Sequence, residues 1–129
     1  MIDTSALLAL FQNEPGQDHV EAAINRSSLL FSSVNRTELK GKLVGAGLFT
    51  PQAVDARLRL LDQVLEIVSF DSEQSDLAAF YYARRHPYNL SLGDCACLAL
   101  SEARGVDVLT AERAWAKLPA LPFKVHLIR

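Results

Sequence analysis

With 129 residues, half of them hydrophobic and 22% charged, the chain has the size and polarity of one globular domain, and a single domain over residues 1–129 is expected. Thirteen Lys and Arg against 15 Asp and Glu leave a net charge of −2, which excludes nucleic-acid binding by bulk positive charge and leaves only a local basic patch. No apolar run approaches the roughly 18 residues of a membrane span, and no basic start leads into an apolar core, so no membrane partner and a cytoplasmic location are expected.

In chain order, Met1-Ile2 can form at most the end of a strand, after which Thr4 or Ser5 caps a helix that Pro15-Gly16 stops. Asp3 lies where strand passes to helix, a place where an aspartate by itself serves as an N-cap or first-turn acid. Val20, Ala23 and Ile24 predict a helix over Gln17–Asn25, and Leu29–Phe31 reads as a buried strand. From Ser32 or Ser33 a further helix runs through Val34, Leu39 and Leu43, with Glu38 on the same side as Val34, Gly41 and Gly45. Those two glycines predict either a close backbone approach or fraying toward Gly47. Arg36 and Lys40, spaced i,i+4, form a basic stripe flanking Glu38. Thr50-Pro51 starts the next helix, and LEIVSF at Leu65–Phe70 gives a third strand. Asp71 with Gln74 resembles a capping box ahead of a helix whose wide apolar face, Leu77 to Tyr82, ends at Arg84-Arg85-His86-Pro87.

The stretch Leu90–Glu112 carries the strongest local signals. Ser91 is an N-cap, Asp94 stands three residues on, and Cys95, Leu98, Ala99 and Ala103 recur on one apolar face up to the stop at Gly105. Val106–Thr110 then reads as a short strand, Ala111–Leu118 as a short helix with Trp115 in the core, and Phe123–Ile128 as a closing strand. Cys95 and Cys97 are two apart on a helix and cannot chelate one ion together, so they are read as core thiols and zinc is not expected. His19, His86 and His126 form no ligand pair and are read as surface or structural.

Strands alternating with helices imply right-handed crossovers and a mainly parallel sheet covered on both faces, with ligands beyond the carboxyl ends of the strands. Asp3, Glu38, Asp94 and Glu112 then fall on one rim. Asp94 and Glu112, taken singly, are ordinary first-turn acids that complement a helix dipole. Gathered together, carboxylates raise one another's pKa unless a cation sits among them, and an all-oxygen set suits Mg²⁺ or Mn²⁺. The matching chemistry is metal-dependent phosphodiester hydrolysis. No glycine-rich phosphate loop, nucleophile elbow or Ser/His/Asp set competes with it.

Four segments, IDTSALLAL, NRTELKGKL, LSLGDCACLALSEARG and VLTAERAW, together resemble the PIN-domain family, and within it the VapC-type toxins of toxin–antitoxin pairs. The resemblance implies a three-layer α/β/α sandwich with a central, mainly parallel sheet, and a metal-dependent endoribonuclease acting on RNA. It further implies a homodimer and a VapB-type antitoxin, through which alone operator DNA would be bound. Carried over position by position, the acids fall on Asp3, Glu38, Asp94 and Glu112, with Thr4, Ser5 and Thr110 as hydrogen-bonding neighbours. Glu112 departs by one methylene from the aspartate usual at that position, and Met1-Ile2 is shorter than the usual first strand, which points to a short strand or an upstream start. Arg36, Lys40, Arg84 and Arg85 are the candidates for holding RNA phosphates. The same motifs also fit a catalytically degenerate PIN domain acting as a regulatory subunit, or a PIN-type RNA-processing nuclease that is not a toxin.

Overall fold

The structure, a computed structural model, describes residues 1–129. Helices and short strands follow one another as α1 (Thr4–Phe11), α2 (Gln17–Arg26), β1 (Leu29–Ser32), α3 (Ser33–Gly45), α4 (Pro51–Leu61), β2 (Leu65–Val68), α5 (Ser72–Ala83), α6 (Leu92–Arg104), β3 (Val108–Thr110), a 3-10 helix (Arg113–Lys117) and β4 (Val125–Leu127).

The helix starts are set by side chains that satisfy the first, unpaired N–H groups. Thr50 accepts from the Ala53 N–H with Pro51 as the first helical residue, and Ser91 and Asp94 exchange hydrogen bonds in a complete capping box. Asp71 caps α5 through the Gln74 N–H, but the Gln74 side chain donates to the Ser69 carbonyl instead of returning to the cap, so only half of the expected box forms. The first helix is capped by Asp3 rather than by Thr4 or Ser5, and Thr4 is already its first residue.

Strands β1 and β2 pair in parallel, as do β3 and β4. Residues 1–3 lie between the pairs: the Ile2 N–H donates to the Leu30 carbonyl on one side, while Leu109 and the Met1 and Asp3 backbone exchange hydrogen bonds on the other. Alternate residues of this central segment point to opposite faces. Ile2 joins an apolar cluster with α1 to α4, including Leu7, Leu39, Leu43, Val54 and Leu58. Met1 joins the second cluster, where Tyr81 of α5, Cys97, Leu98 and Leu100 of α6, Val108 and Trp115 pack. The result is the expected sandwich, with helices on both sides of a parallel sheet.

Several boundaries differ from expectation because a strand ends where its partners end. Val106 belongs to the helix terminus, its N–H closing on the Ser101 carbonyl after Gly105 at φ 60, so β3 begins only at Val108. Beyond Val68 the Phe70 N–H turns to the Ser33 hydroxyl, which removes Ser69 and Phe70 from β2. The closing strand is likewise confined to Val125–Leu127, and the helix placed over Ala111–Leu118 is a 3-10 turn of five residues. Helix α6 is buried on every side from Cys95 to Ser101, whereas Ala103 is exposed. Enclosed between α5, α3 and the sheet, this central stretch has no solvent face, and only the two ends of the helix reach water. No helix is long and apolar enough to cross a membrane.

Candidate active site

Asp3 leaves the central segment of the sheet and caps α1 with one carboxylate oxygen. Its Oδ2 accepts from the Ser5 N–H at 3.1 Å, the Ser5 hydroxyl at 2.6 Å and the Thr110 hydroxyl at 3.0 Å. Each hydroxyl is fixed in turn by a backbone N–H, that of Ala111 on Ser5 and that of Glu112 on Thr110. The three neighbours read from sequence are therefore hydrogen-bonding partners of the acids: Ser5 and Thr110 hold Asp3, and Thr4 holds Glu38. The other oxygen of Asp3, Oδ1, is buried and has no donor. Burial, reinforced by the charge of Asp94, raises the Asp3 pKa from 3.8 to about 6, against the opposing hydrogen bonds from Ser5 and Thr110.

Asp94 enters from the first turn of α6. Its Oδ2 accepts the Ser91 N–H at 2.7 Å, which is the ordinary cap role, yet burial and the nearby Glu38 raise its pKa above the usual carboxylate value. Glu38 comes from the middle of α3, where its Oε2 accepts the Thr4 hydroxyl at 2.7 Å. It reaches the start of α6 because Gly93 has no side chain: a Cβ there would stand 2.8 Å from Glu38 Oε2. Asn35, one turn before Glu38 and fully buried, donates both to Thr4 Oγ1 and to the Gly93 carbonyl, tying α1, α3 and α6 together at the site. The close approach predicted at Gly41 and Gly45 is absent, since nothing lies within 4 Å of a Cβ at either position and α3 continues through Gly45.

Lys42 lies one helical turn after Glu38, and its ammonium is 2.9 Å from Glu38 Oε1. Burial opposes its charge, but the Glu38 hydrogen bond and the charges of Glu38, Asp3 and Asp94 together lift its pKa above the ordinary lysine value. Sequence reading passed over Lys42, Gly93 and Asn35. For Lys42 the signal was available as a Glu–Lys pair at i,i+4.

Of the basic candidates, Arg36 makes a two-pronged pair with Asp62 and Lys40 pairs with Asp55 at 2.6 Å, which turns both toward α4 and not toward Glu38. Positions 36 and 40 each lie two residues from Glu38, on the far side of a helix with 3.6 residues per turn. Arg84 and Arg85 follow α5 and stack over Phe80 and Tyr82 at 3.7 and 4.3 Å, with both rings substantially exposed. Glu112 caps the 3-10 helix with its side chain in solvent, engaged by no hydrogen bond or ion pair, while its N–H is held by Thr110.

The residues fit a hard divalent cation in kind: all donors are carboxylate and hydroxyl oxygens, and Asp3 Oδ1 is a buried carboxylate oxygen without a partner. As placed, no three acids converge closely enough to share one ion, and both oxygens of Glu38 are engaged, by Thr4 and by Lys42. The charge of Asp94 nonetheless acts on Asp3 and that of Glu38 on Asp94, so a cation among them would relieve this repulsion.

Comparison with known proteins bears on the fold that carries these residues. The ribonuclease VapC30 of Mycobacterium tuberculosis is 27% identical over 113 residues, covering 84% of this chain and 86% of its own. The ribonuclease VapC of Mycolicibacterium smegmatis is 28% identical over 113 residues, covering 84% and 88%. Among solved structures, the DNA-bound VapBC of Salmonella typhimurium superposes with a TM-score of 0.72 at 17% identity, over 100% of this chain and 97% of that one. VapBC2 of Rickettsia felis, bound to a promoter fragment, gives 0.73 at 14% identity over 98% and 96%. The PIN domain profile matches residues 1–121, a span that contains the buried Asp3 and every acid gathered near it. The chain belongs to the PIN-domain family.

Proposed function

We propose that this chain is a metal-dependent endoribonuclease and the toxin of a VapBC-type pair. The observation that carries the reading is the buried, unpartnered Oδ1 of Asp3, within the electrostatic reach of Asp94 as Asp94 is of Glu38, on the PIN fold of a chain similar to named VapC ribonucleases. Asp3, Asp94 and Glu38 would hold Mg²⁺ or Mn²⁺, with Glu112 at the outer rim. When bound, such an ion polarises a phosphodiester oxygen and lowers the pKa of the attacking water. The chain's own part is orientation. Ser5 and Thr110 fix one Asp3 oxygen and leave the other free, Thr4 and Asn35 set Glu38, and Ser91 sets Asp94. Arg84 and Arg85, at the end of α5 and next to the loop leading into Asp94, are the remaining candidates for phosphate contacts.

The antitoxin is assigned to the apolar groove of about 440 Å³ between α1, α2 and α4, lined by Leu10, Phe11, Ile24, Leu60, Leu61 and Val64. Leu60 is 64% exposed there, and the solved structures that this chain superposes on are toxin–antitoxin complexes. Two copies of the toxin per complex are part of the same reading.

The test is cleavage of labelled total RNA by purified, antitoxin-free protein with Mg²⁺ or Mn²⁺, against EDTA and against Asp94→Asn. Discrete products that require both metal and Asp94 are expected. Folded protein that cuts nothing with any metal would instead favour a regulatory PIN domain. The exposed, unengaged Glu112 and the pairing of Glu38 with Lys42 are the features that would then acquire meaning.

A further inference from the structure

Lys42 is the basic side chain that forms an ion pair within the acidic cluster. The other basic candidates are turned elsewhere: Arg36 and Lys40 to acids of α4, Arg84 and Arg85 onto aromatic rings of α5. Its side chain is 53% exposed while that of Glu38 is 23% exposed, so the ammonium stands at the mouth of the site and the carboxylate behind it. The orphaned Asp3 Oδ1 is deeper still, in a residue 1% exposed whose charge also acts on Lys42. Three carboxylates and one divalent cation leave a net negative charge facing a phosphodiester that is itself an anion, and one ammonium cancels it.

We propose that Lys42 is a positioning residue: its ammonium competes with the divalent cation for Glu38, and once displaced it meets a phosphate of the bound RNA. This rests on the metal-dependent nuclease reading above. A lysine suits the exchange because its charge sits on a flexible four-carbon stem with three donors and no fixed fork geometry. Glu38 keeps its Thr4 hydrogen bond through the exchange and so remains oriented when the ammonium leaves.

The experiment uses the wild type, Lys42→Met and Lys42→Arg, with two readouts that do not depend on turnover. The first is Mn²⁺ affinity by calorimetry. The second is the salt dependence of binding to a fluorescent random-sequence single-stranded RNA, with Ca²⁺ as the oxygen-seeking cation. Lys42→Met is expected to bind Mn²⁺ about two- to fivefold more tightly, the scale of one partly exposed ion pair. Its RNA binding is expected to weaken, with a log–log salt slope shallower by about 0.7, one phosphate contact fewer. Lys42→Arg should restore the slope. Mn²⁺ affinity and salt slope both unchanged in Lys42→Met would overturn the role of Lys42 while leaving the nuclease reading intact. No Mn²⁺ binding by either wild type or Lys42→Met would overturn both. Binding by Lys42→Met alone would support the competition.

Discussion

Thr110 has an acid on either side, and the two differ in almost every surrounding. Its hydroxyl donates to Asp3, which is 1% exposed and receives three hydrogen bonds on one oxygen, and it accepts the N–H of Glu112, whose side chain is free in solvent. The deep acid is held in one place and raised in pKa by burial, a cost that folding carries for no packing benefit. The outer acid costs nothing and is held by nothing. On the proposed reading, the deep corner would dictate whether a cation binds, and the rim would adjust how the site is used.

Asp3→Asn should break this contrast with the largest effect. It removes the buried charge, so RNA cleavage should fall by at least about 1,000-fold, as when a group acting in the transition state is lost. The same change should stabilise the metal-free protein near neutral pH. Because the folded-state pKa of Asp3, about 6, lies above its ordinary 3.8, the folded protein binds more protons than the unfolded chain between those values. Wild-type stability should therefore fall by about 3 kcal/mol as pH rises from about 4 to 6, then level off, and Asp3→Asn should remove most of that slope. Asp94 is raised as well and adds in the same direction. Denaturant melts across pH without metal would measure both.

Gly93→Ala should give the intermediate effect. The added methyl would meet Glu38 Oε2 at 2.8 Å and Cδ at 3.2 Å, the movable end of a side chain, so the fold can yield. Alanine also improves the helix by up to about 1 kcal/mol, so the melting temperature should stay near wild type. Cleavage should fall by about 100-fold, because an acid displaced by an ångström no longer serves the site. A large loss of stability without loss of rate would mean that Glu38 is structural. Glu112→Gln should have the smallest effect, a loss of under tenfold in rate with stability within about 0.5 kcal/mol, as for an exposed side chain without partners. If Glu112→Gln were as damaging as Asp3→Asn, the division between corner and rim would be wrong.

Much of the fold was legible because its signals are local. Thr50-Pro51, the Ser91–Asp94 box and Gly105 mark helix ends by chemistry confined to one turn, and all three occur as read. Strand ends were not legible, since whether Val106 or Phe70 pairs in a sheet depends on which distant group its N–H finds first. At the site, Asp3 could be picked out because a carboxylate between strand and helix is conspicuous, whereas its depth depends on Thr110, 107 residues away. Gly93 and Asn35 escape a sequence reading because their role exists only where α3 and α6 meet, and Arg36 and Lys40, a basic stripe flanking Glu38 in the sequence, are held by acids of α4 instead.

Whether Asp3 and its neighbours form a divalent-cation site is read from the melting temperature at pH 7 with and without Mn²⁺, for wild type and Asp3→Asn. A ligand that binds only the folded state stabilises by mass action, by about 2.7 kcal/mol when it is present at 100 times its dissociation constant. The wild type should be stabilised by Mn²⁺, while Asp3→Asn should start more stable and gain almost nothing. Equal gains in the two proteins, or none in the wild type, would contradict the account.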